Sequence, residues 1–212
     1  MQIVVIAGGL IQNEFNDKAI AEGVQLKFVT AIEDAGERSD VYFYLLDETT
    51  IPDNYEAIKK LSQLVFVNAV TTTLSDLPTN TVRINGWPGF IHSKSSEIST
   101  SETNKEAAAS VLDAMGWDYI FVPDLPGMIT PRTISMIINE AYFAFEEEVS
   151  TKEEIDIAMK LGTGYPFGPF EWSQQIGLNK ILHLLQTLAL TDPRYQPAPL
   201  LISETNLNWH SY

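Results

Sequence analysis

The sequence predicts an α/β half built on a parallel sheet, followed by an all-α half. Three observations predict it. Up to about residue 122, short apolar runs alternate with helix-like segments, the pattern of βαβ units. Beyond Asp124 no strand-like run of any length occurs, and apolar residues recur at three- and four-residue spacing instead. The 212 residues, 45% hydrophobic and 19% charged, suffice to bury substantial cores. Residues 1–122 and 123–212 are therefore expected as two domains.

In chain order, "QIVVIAG" reads as a buried strand because Val and Ile run without interruption up to glycine. "NEFNDKAIAEG" follows as a short helix expected to stop at Gly23, and "VQLKFVTA" as a second strand. "DVYFYLLD", "QLVFVNAV" and "TVRINGW" are the next strands, with "NYEAIKKLS" a helix between the first two. "NKEAAASVLDAMG" is a helix with Gly116 as its stop, leading to the strand "DYIFVPD". In the second half, a long helix carries Ile134, Ile137, Ile138, Ala141 and Phe145 on one stripe. A second helix opens on Ser150 or Thr151 followed by Glu153 and Glu154, a capping-box pattern, and stops at Gly162. "GLNKILHLLQTLAL" is a third.

Composition excludes several functions. With no cysteine there is no disulfide, thiolate metal site or thiol nucleophile. Three unpaired histidines, His210 among them, support no metal site. A net charge of −15 with scattered basic residues argues against nucleic-acid binding. No run approaches the length of a membrane span, and the N-terminus lacks a signal peptide's basic region, so a cytoplasmic protein is expected.

The opening "MQIVVIAGGLIQNEF" has the shape of a strand turning through glycine into a helix, where a phosphate can sit. Gly8 and Gly9 are the candidate cofactor contacts. A dinucleotide fingerprint asks for G-x-G-x-x-G, and its positions fall here on Ala7, Gly9 and Gln12.

The second half carries an ordered set of motifs: Pro126-Gly127 with Arg132, Asn139-Glu140-Ala141, and Ile155-Asp156 with Ala158. Next come Gly162-Thr163-Gly164-Tyr165-Pro166-Phe167-Gly168-Pro169-Phe170, Gly177-Leu178, and "DPRYQPAPLL". At this spacing the segment resembles the C-terminal domain of the 3-hydroxyacyl-CoA dehydrogenase family. Upstream, "SDVYFYLLDE", "LVFVNAVTTTLSDLP" and "VRINGWPGF" with "SSEIS" resemble that family's nucleotide-binding domain. The resemblance implies a Rossmann-like domain, NAD as cofactor, an acyl-CoA ligand and a homodimer formed through the helical domain.

It also implies a histidine base with a glutamate partner, an asparagine, and hydroxyls that place the substrate. Here Pro88 stands at the histidine position, with His92 the nearest imidazole and Glu97 at the partner position. If the stretch were one regular strand, the odd separation of His92 and Glu97 would put them on opposite sides. Pro131 stands at the asparagine position, and Thr72 and Thr73 are the candidate substrate hydroxyls. The acid expected after the second strand is replaced by Thr30 and Ala31, and Thr30 to Asp40 is too short for the family's helical excursion. Two readings stand: a dehydrogenase with a relocated base, or a non-enzymatic descendant that keeps the fold and binds an acyl-CoA-like ligand or a protein.

Overall fold

The computed structural model describes residues 1–36 and 38–208, in two compact units, Met1–Met128 and Ile129–Tyr212. The segment up to Met128 belongs with the first unit for a visible reason. The Asp124 carboxylate binds the Arg83 guanidinium and the Leu74 amide, and the Gly127 N–H donates to Val70 O, so this stretch packs with the first unit.

The first unit is a seven-stranded sheet in the order β2-β1-β3-β4-β5-β6-β7. Its strands are β1 (Gln2–Ile6), β2 (Gln25–Val29), β3 (Val41–Tyr44), β4 (Val65–Asn68), β5 (Thr81–Ile84), β6 (Ser95–Thr100) and β7 (Asp118–Phe121). β1 to β5 pair in parallel, β6 runs antiparallel to β5, and β7 is parallel to β6. The helices are α1 (Gly9–Asp17), α2 (Ile51–Lys60) and α3 (Glu102–Met115).

Alternation along the strands divides the apolar residues between two faces. Ile3, Val5, Val41, Phe43, Phe66 and Ile98 face a core shared with Phe15 of α1 and Leu112 of α3. Val4, Ile6, Tyr42, Tyr44, Val65 and Val67 face the other, shared with Ile51 and Ile58 of α2. Phe43 and Phe66 stack at 4.6 Å, and Phe15 meets Phe43 edge-on at 5.2 Å, the offset geometries aromatic quadrupoles favour.

Two departures from the expected elements have local causes. α1 begins directly at the glycines and ends at Asp17, well before Gly23. The chain leaves the helix because Ala21 N–H donates to Met115 O and the Trp117 indole N–H to Ala19 O. β6, "SSEIST", has no apolar alternation to announce it, yet Ser96, Glu97, Ile98 and Ser99 are all buried between β5 and β7. Gly116 does stop α3, at φ 72°, with its own and the next N–H returned to Asp113 O and Leu112 O.

The second unit consists, among the described residues, of helices α4 (Thr130–Glu146), α5 (Lys152–Thr163), α6 (Pro169–Ile176), α7 (Leu178–Ala189) and α8 (Pro199–Asn208) with short connections. Ile134, Ile138, Ala141, Phe170, Ile181, Leu184, Leu185 and Leu201 are buried in it. The capping box opens α5: Thr151 Oγ1 accepts the Glu154 N–H, and the Glu154 carboxylate accepts from Thr151 N–H and Ser150 Oγ. Those donors hold the Glu154 carboxyl below its ordinary value.

α6 was not evident in sequence because its signal sits in a glycine- and proline-rich stretch. Asp156 of α5 accepts the Phe170 N–H at 2.8 Å and the Glu171 N–H at 3.1 Å, so one helix caps the next. Asn139 of α4 does the same for the segment before α8, donating to Gln196 O and accepting from Ala198 N–H. The Asn139 and Asp156 motif residues thus have structural work within this unit.

Candidate functional site

In open α/β sheets, ligand chemistry collects where the loops leave the carboxyl ends of the parallel strands. Here those loops are pinned by buried polar groups. The carboxylate of Glu48, after β3, accepts the N–H groups of Val70 at 2.6 Å and Thr71 at 3.0 Å. Asn68, closing β4, donates to Leu46 O and accepts from Gly86 N–H at 3.2 Å. Gly86 is required by space, since a Cβ there would lie 2.7 Å from Asn68 Cγ.

Arg83 of β5 is wholly buried. Its guanidinium donates to Ala69 O, Val70 O and Leu125 O, and meets Asp124 Oδ1 at 2.5 Å. Burial pulls its pKa below the usual guanidinium range, and Asp124 pushes back. The loop after β4 is therefore clamped by Glu48, Arg83 and Asp124. Thr72 and Thr73 sit half-buried on it, with Thr73 Oγ1 hydrogen-bonded to Ser75 Oγ at 2.8 Å.

Gly8 caps the start of α1 without a side-chain bond, and Gly9 has φ 47°. A Cβ at either would meet nothing within 4 Å, so these glycines face open space. Gln12 stands half-buried in the second turn. β2 ends at Val29, and exposed Thr30 and half-buried Ala31 follow it. Glu33 and Asp34 lie beyond, exposed in a single 3-10 turn, Ile32–Asp34, and the Lys27 ammonium donates to Asp34 O. The backbone turn suits a phosphate, but among the described residues Thr30 and Ala31, and no carboxylate, stand directly at the end of β2 where a ribose diol would be taken. The described residues do not fit an NAD dinucleotide at that point.

The connection from β5 to β6 is a chain of tight turns. Phe90 N–H returns to Trp87 O, Ser93 N–H to Phe90 O, and Gly89 has φ 89°. Trp87 is buried and Pro88 half-buried. His92 lies exposed in these turns, while Glu97 is buried on β6. The carboxylate that faces His92 is Glu14 of α1: Nδ1 lies 3.4 Å from Glu14 Oε2, and Glu14 Oε1 accepts the Gly89 N–H at 2.7 Å. Glu14 is itself buried. Sequence reasoning missed it because the local pattern, Asn13 to Asp17, reads as a polar helix surface. The odd spacing of His92 and Glu97 was the one available hint. Pro131 is buried in the first turn of α4, where its missing N–H has no partner to lose.

Among the described residues, no three His, Asp or Glu side chains gather where they would hold a metal, and no helix is long and apolar enough to cross a membrane. His210 lies outside the described residues.

Comparison with known proteins adds to this geometry. Residues 127–210 match the model of the 3-hydroxyacyl-CoA dehydrogenase C-terminal domain. Over 92 residues the chain is 42% identical to the 3-hydroxyadipyl-CoA dehydrogenase of Escherichia coli, covering 42% of this chain and 19% of that one. Over 114 residues it is 36% identical to a 3-hydroxybutyryl-CoA dehydrogenase of Bradyrhizobium diazoefficiens, covering 53% and 39%. The match thus spans well under half the length of these curated relatives. The crystal structure of (S)-3-hydroxybutyryl-CoA dehydrogenase from Ralstonia eutropha superposes with a TM-score of 0.69 at 23% identity, covering 87% of this chain and 71% of that one, a likeness of fold.

Proposed function

We propose, from the premise that this chain belongs to the 3-hydroxyacyl-CoA dehydrogenase family, that it binds an acyl-CoA-class ligand without the family's hydride chemistry. The observation that carries this reading is Pro88. It occupies the position of the family's imidazole, and a proline ring can neither take nor give a proton. Pro131 removes the amide at a second position, and Thr30 and Ala31 at the acid's position after β2 weaken any hold on NAD. Function lives in such groups rather than in the fold. The clamped Thr72–Thr73 loop retains hydroxyls that suit a ligand's polar end, and the absence of cysteine agrees with a cytoplasmic setting.

Calorimetric titration tests this directly. Acetoacetyl-CoA is expected to bind saturably, NADH to give no heat, and the mixture to show no loss of NADH absorbance. Saturable NADH binding at one site per chain, with turnover, overturns the reading.

The second reading, a dehydrogenase with a relocated base, is favoured by the approach of His92 to the buried Glu14 carboxylate. A carboxylate behind an exposed imidazole is the arrangement a general base needs. If turnover is found, His92→Ala should abolish it and Glu97→Gln should separate the roles of the two carboxylates.

We also infer pairing of two chains through the helical unit. Ile157, Leu161 and Leu190 are exposed there, at 52%, 84% and 86%, apolar side chains that pairing with a second copy would cover. Light scattering should give twice the 23.7 kDa chain mass; a monomer at micromolar concentration excludes it.

A further inference from the structure

Two strands close the ends of the sheet, β2 on one side and β7 on the other, and no described strand pairs with the outer side of either. Along a parallel strand, residues alternate between bonding to the neighbour and pointing their N–H and C=O outward. Val122 N–H donates to Ile98 O at 2.8 Å, so Asp118, Ile120 and Val122 face β6, and Tyr119 and Phe121 face outward. Gln25 N–H donates to Met1 O at 2.9 Å, so Gln25, Lys27 and Val29 face β1, and Leu26 and Phe28 face outward. Both edges present the same backbone pattern, two outward residues around a central one.

Their central side chains differ. Lys27 is exposed at the middle of β2. Antiparallel pairing of β2 with itself would set it directly opposite Lys27 of a second copy, and a lysine so placed guards a sheet edge against such pairing. At the middle of β7 stands Ile120, 44% exposed, with Phe121 37% exposed beside it. The charge within β7 is Asp118, at its end. Pro123 follows soon after, without an N–H, and limits the open ladder to this segment.

We propose that the β7 edge pairs with β7 of a second copy, antiparallel about a two-fold axis at Ile120, joining two sheets into one. In this register Tyr119 lies opposite Phe121 of the second copy, and each such pair exchanges both N–H···O=C bonds. Ile120 lies opposite Ile120 of the second copy as a close pair without hydrogen bonds. On the other face, Tyr119 and Phe121, already edge-on at 5.6 Å, meet the same two rings in reverse order. Asp118 falls opposite Val122, so no like charges oppose one another along the ladder. The strand is complementary to itself, which favours a copy of this chain over an unrelated extended peptide. Residues of the helical unit take no part, so the contact is independent of pairing through Ile157, Leu161 and Leu190.

So short a ladder belongs among weak contacts, with a dissociation constant on the order of 0.1 mM. The test is light scattering of the whole chain, with amide exchange followed by NMR, from about 10 µM to about 1 mM. Salt at about 0.5 M screens the net charge of −15 on each copy. The average mass is expected to rise by more than half across that range. Amides of Tyr119 and Phe121 should exchange about fivefold more slowly at the upper concentration, while those of Leu26 and Phe28 stay unchanged.

Ile120→Lys gives β7 the same guard as β2, at a position open to solvent, and should abolish both changes with the fold intact by circular dichroism. Leu190→Lys alters the helical unit and should leave both in place. Mass and exchange at Tyr119 and Phe121 that do not depend on concentration overturn the proposal. So does a rise that survives Ile120→Lys or is lost with Leu190→Lys.

Discussion

Replacing Arg83 with leucine is expected to lower the stability of the first unit by about 3–5 kcal/mol, the range for removing one partner from a buried ionic network. The guanidinium serves three backbone carbonyls and one carboxylate at once. Leucine fills much of the stem's volume but returns none of those donors. Ala69 O and Val70 O then lie buried with reduced partners, and Asp124, whose side chain is 34% exposed, falls back on water. Asp124→Asn keeps an acceptor for the guanidinium and should cost less, about 1–2 kcal/mol. Urea unfolding gives the totals, and hydrogen exchange across residues 65–74 and 124–128 localises them. A change below 1 kcal/mol for Arg83→Leu, or exchange unaltered in the loop after β4, would show that the clamp is not what orders Thr72 and Thr73.

Gly168→Ala should be the second large effect, at about 3 kcal/mol in the helical unit. The reason is space and not backbone freedom, because Gly168 has an ordinary φ of −79°. A Cβ there would stand 2.3 Å from Asp156 Oδ1 and 2.4 Å from Asp156 Cα. One of those atoms belongs to the backbone of α5, so no side-chain rotation relieves the clash. Any retreat of α5 also withdraws the carboxylate that caps α6 through Phe170 and Glu171. Gly164→Ala is the matched control. Its Cβ would meet nothing within 4 Å, yet φ is 72°, so it should cost only about 1 kcal/mol from the left-handed backbone. Thermal unfolding of the two variants separates the causes; equal losses would mean that α5 yields to the added Cβ and that contact with Asp156 does not make Gly168 necessary.

These two sites show how unevenly the sequence carries structural information. The parallel strands were legible because Val, Ile and Phe runs bounded by turn residues have few alternatives. Gly116 and Thr151 were legible because a left-handed cap and a capping box depend on local chemistry alone. β6 was not: four of its residues are buried, three of them polar, and their burial is set by β5 and β7 on either side. No hydrophobic period can report that. α6 was hidden for a related reason, since the residue that caps it lies on another helix, 14 positions away from Phe170.

The sequence by itself determined the two-part organisation, the order of most elements, the C-terminal family motifs, and that position 88 is a proline, which carries no ionisable group. Each is a property of residue type and near-neighbour spacing. Only the tertiary structure decided that Glu14, 78 positions from His92, supplies the carboxylate facing that imidazole. It likewise joined Arg83 to Asp124 across 41 positions and enclosed Lys18 between Trp117 and Ser96. Those pairings follow from how the sheet and its helices bring distant backbone together, and the strength of each depends on the water excluded around it.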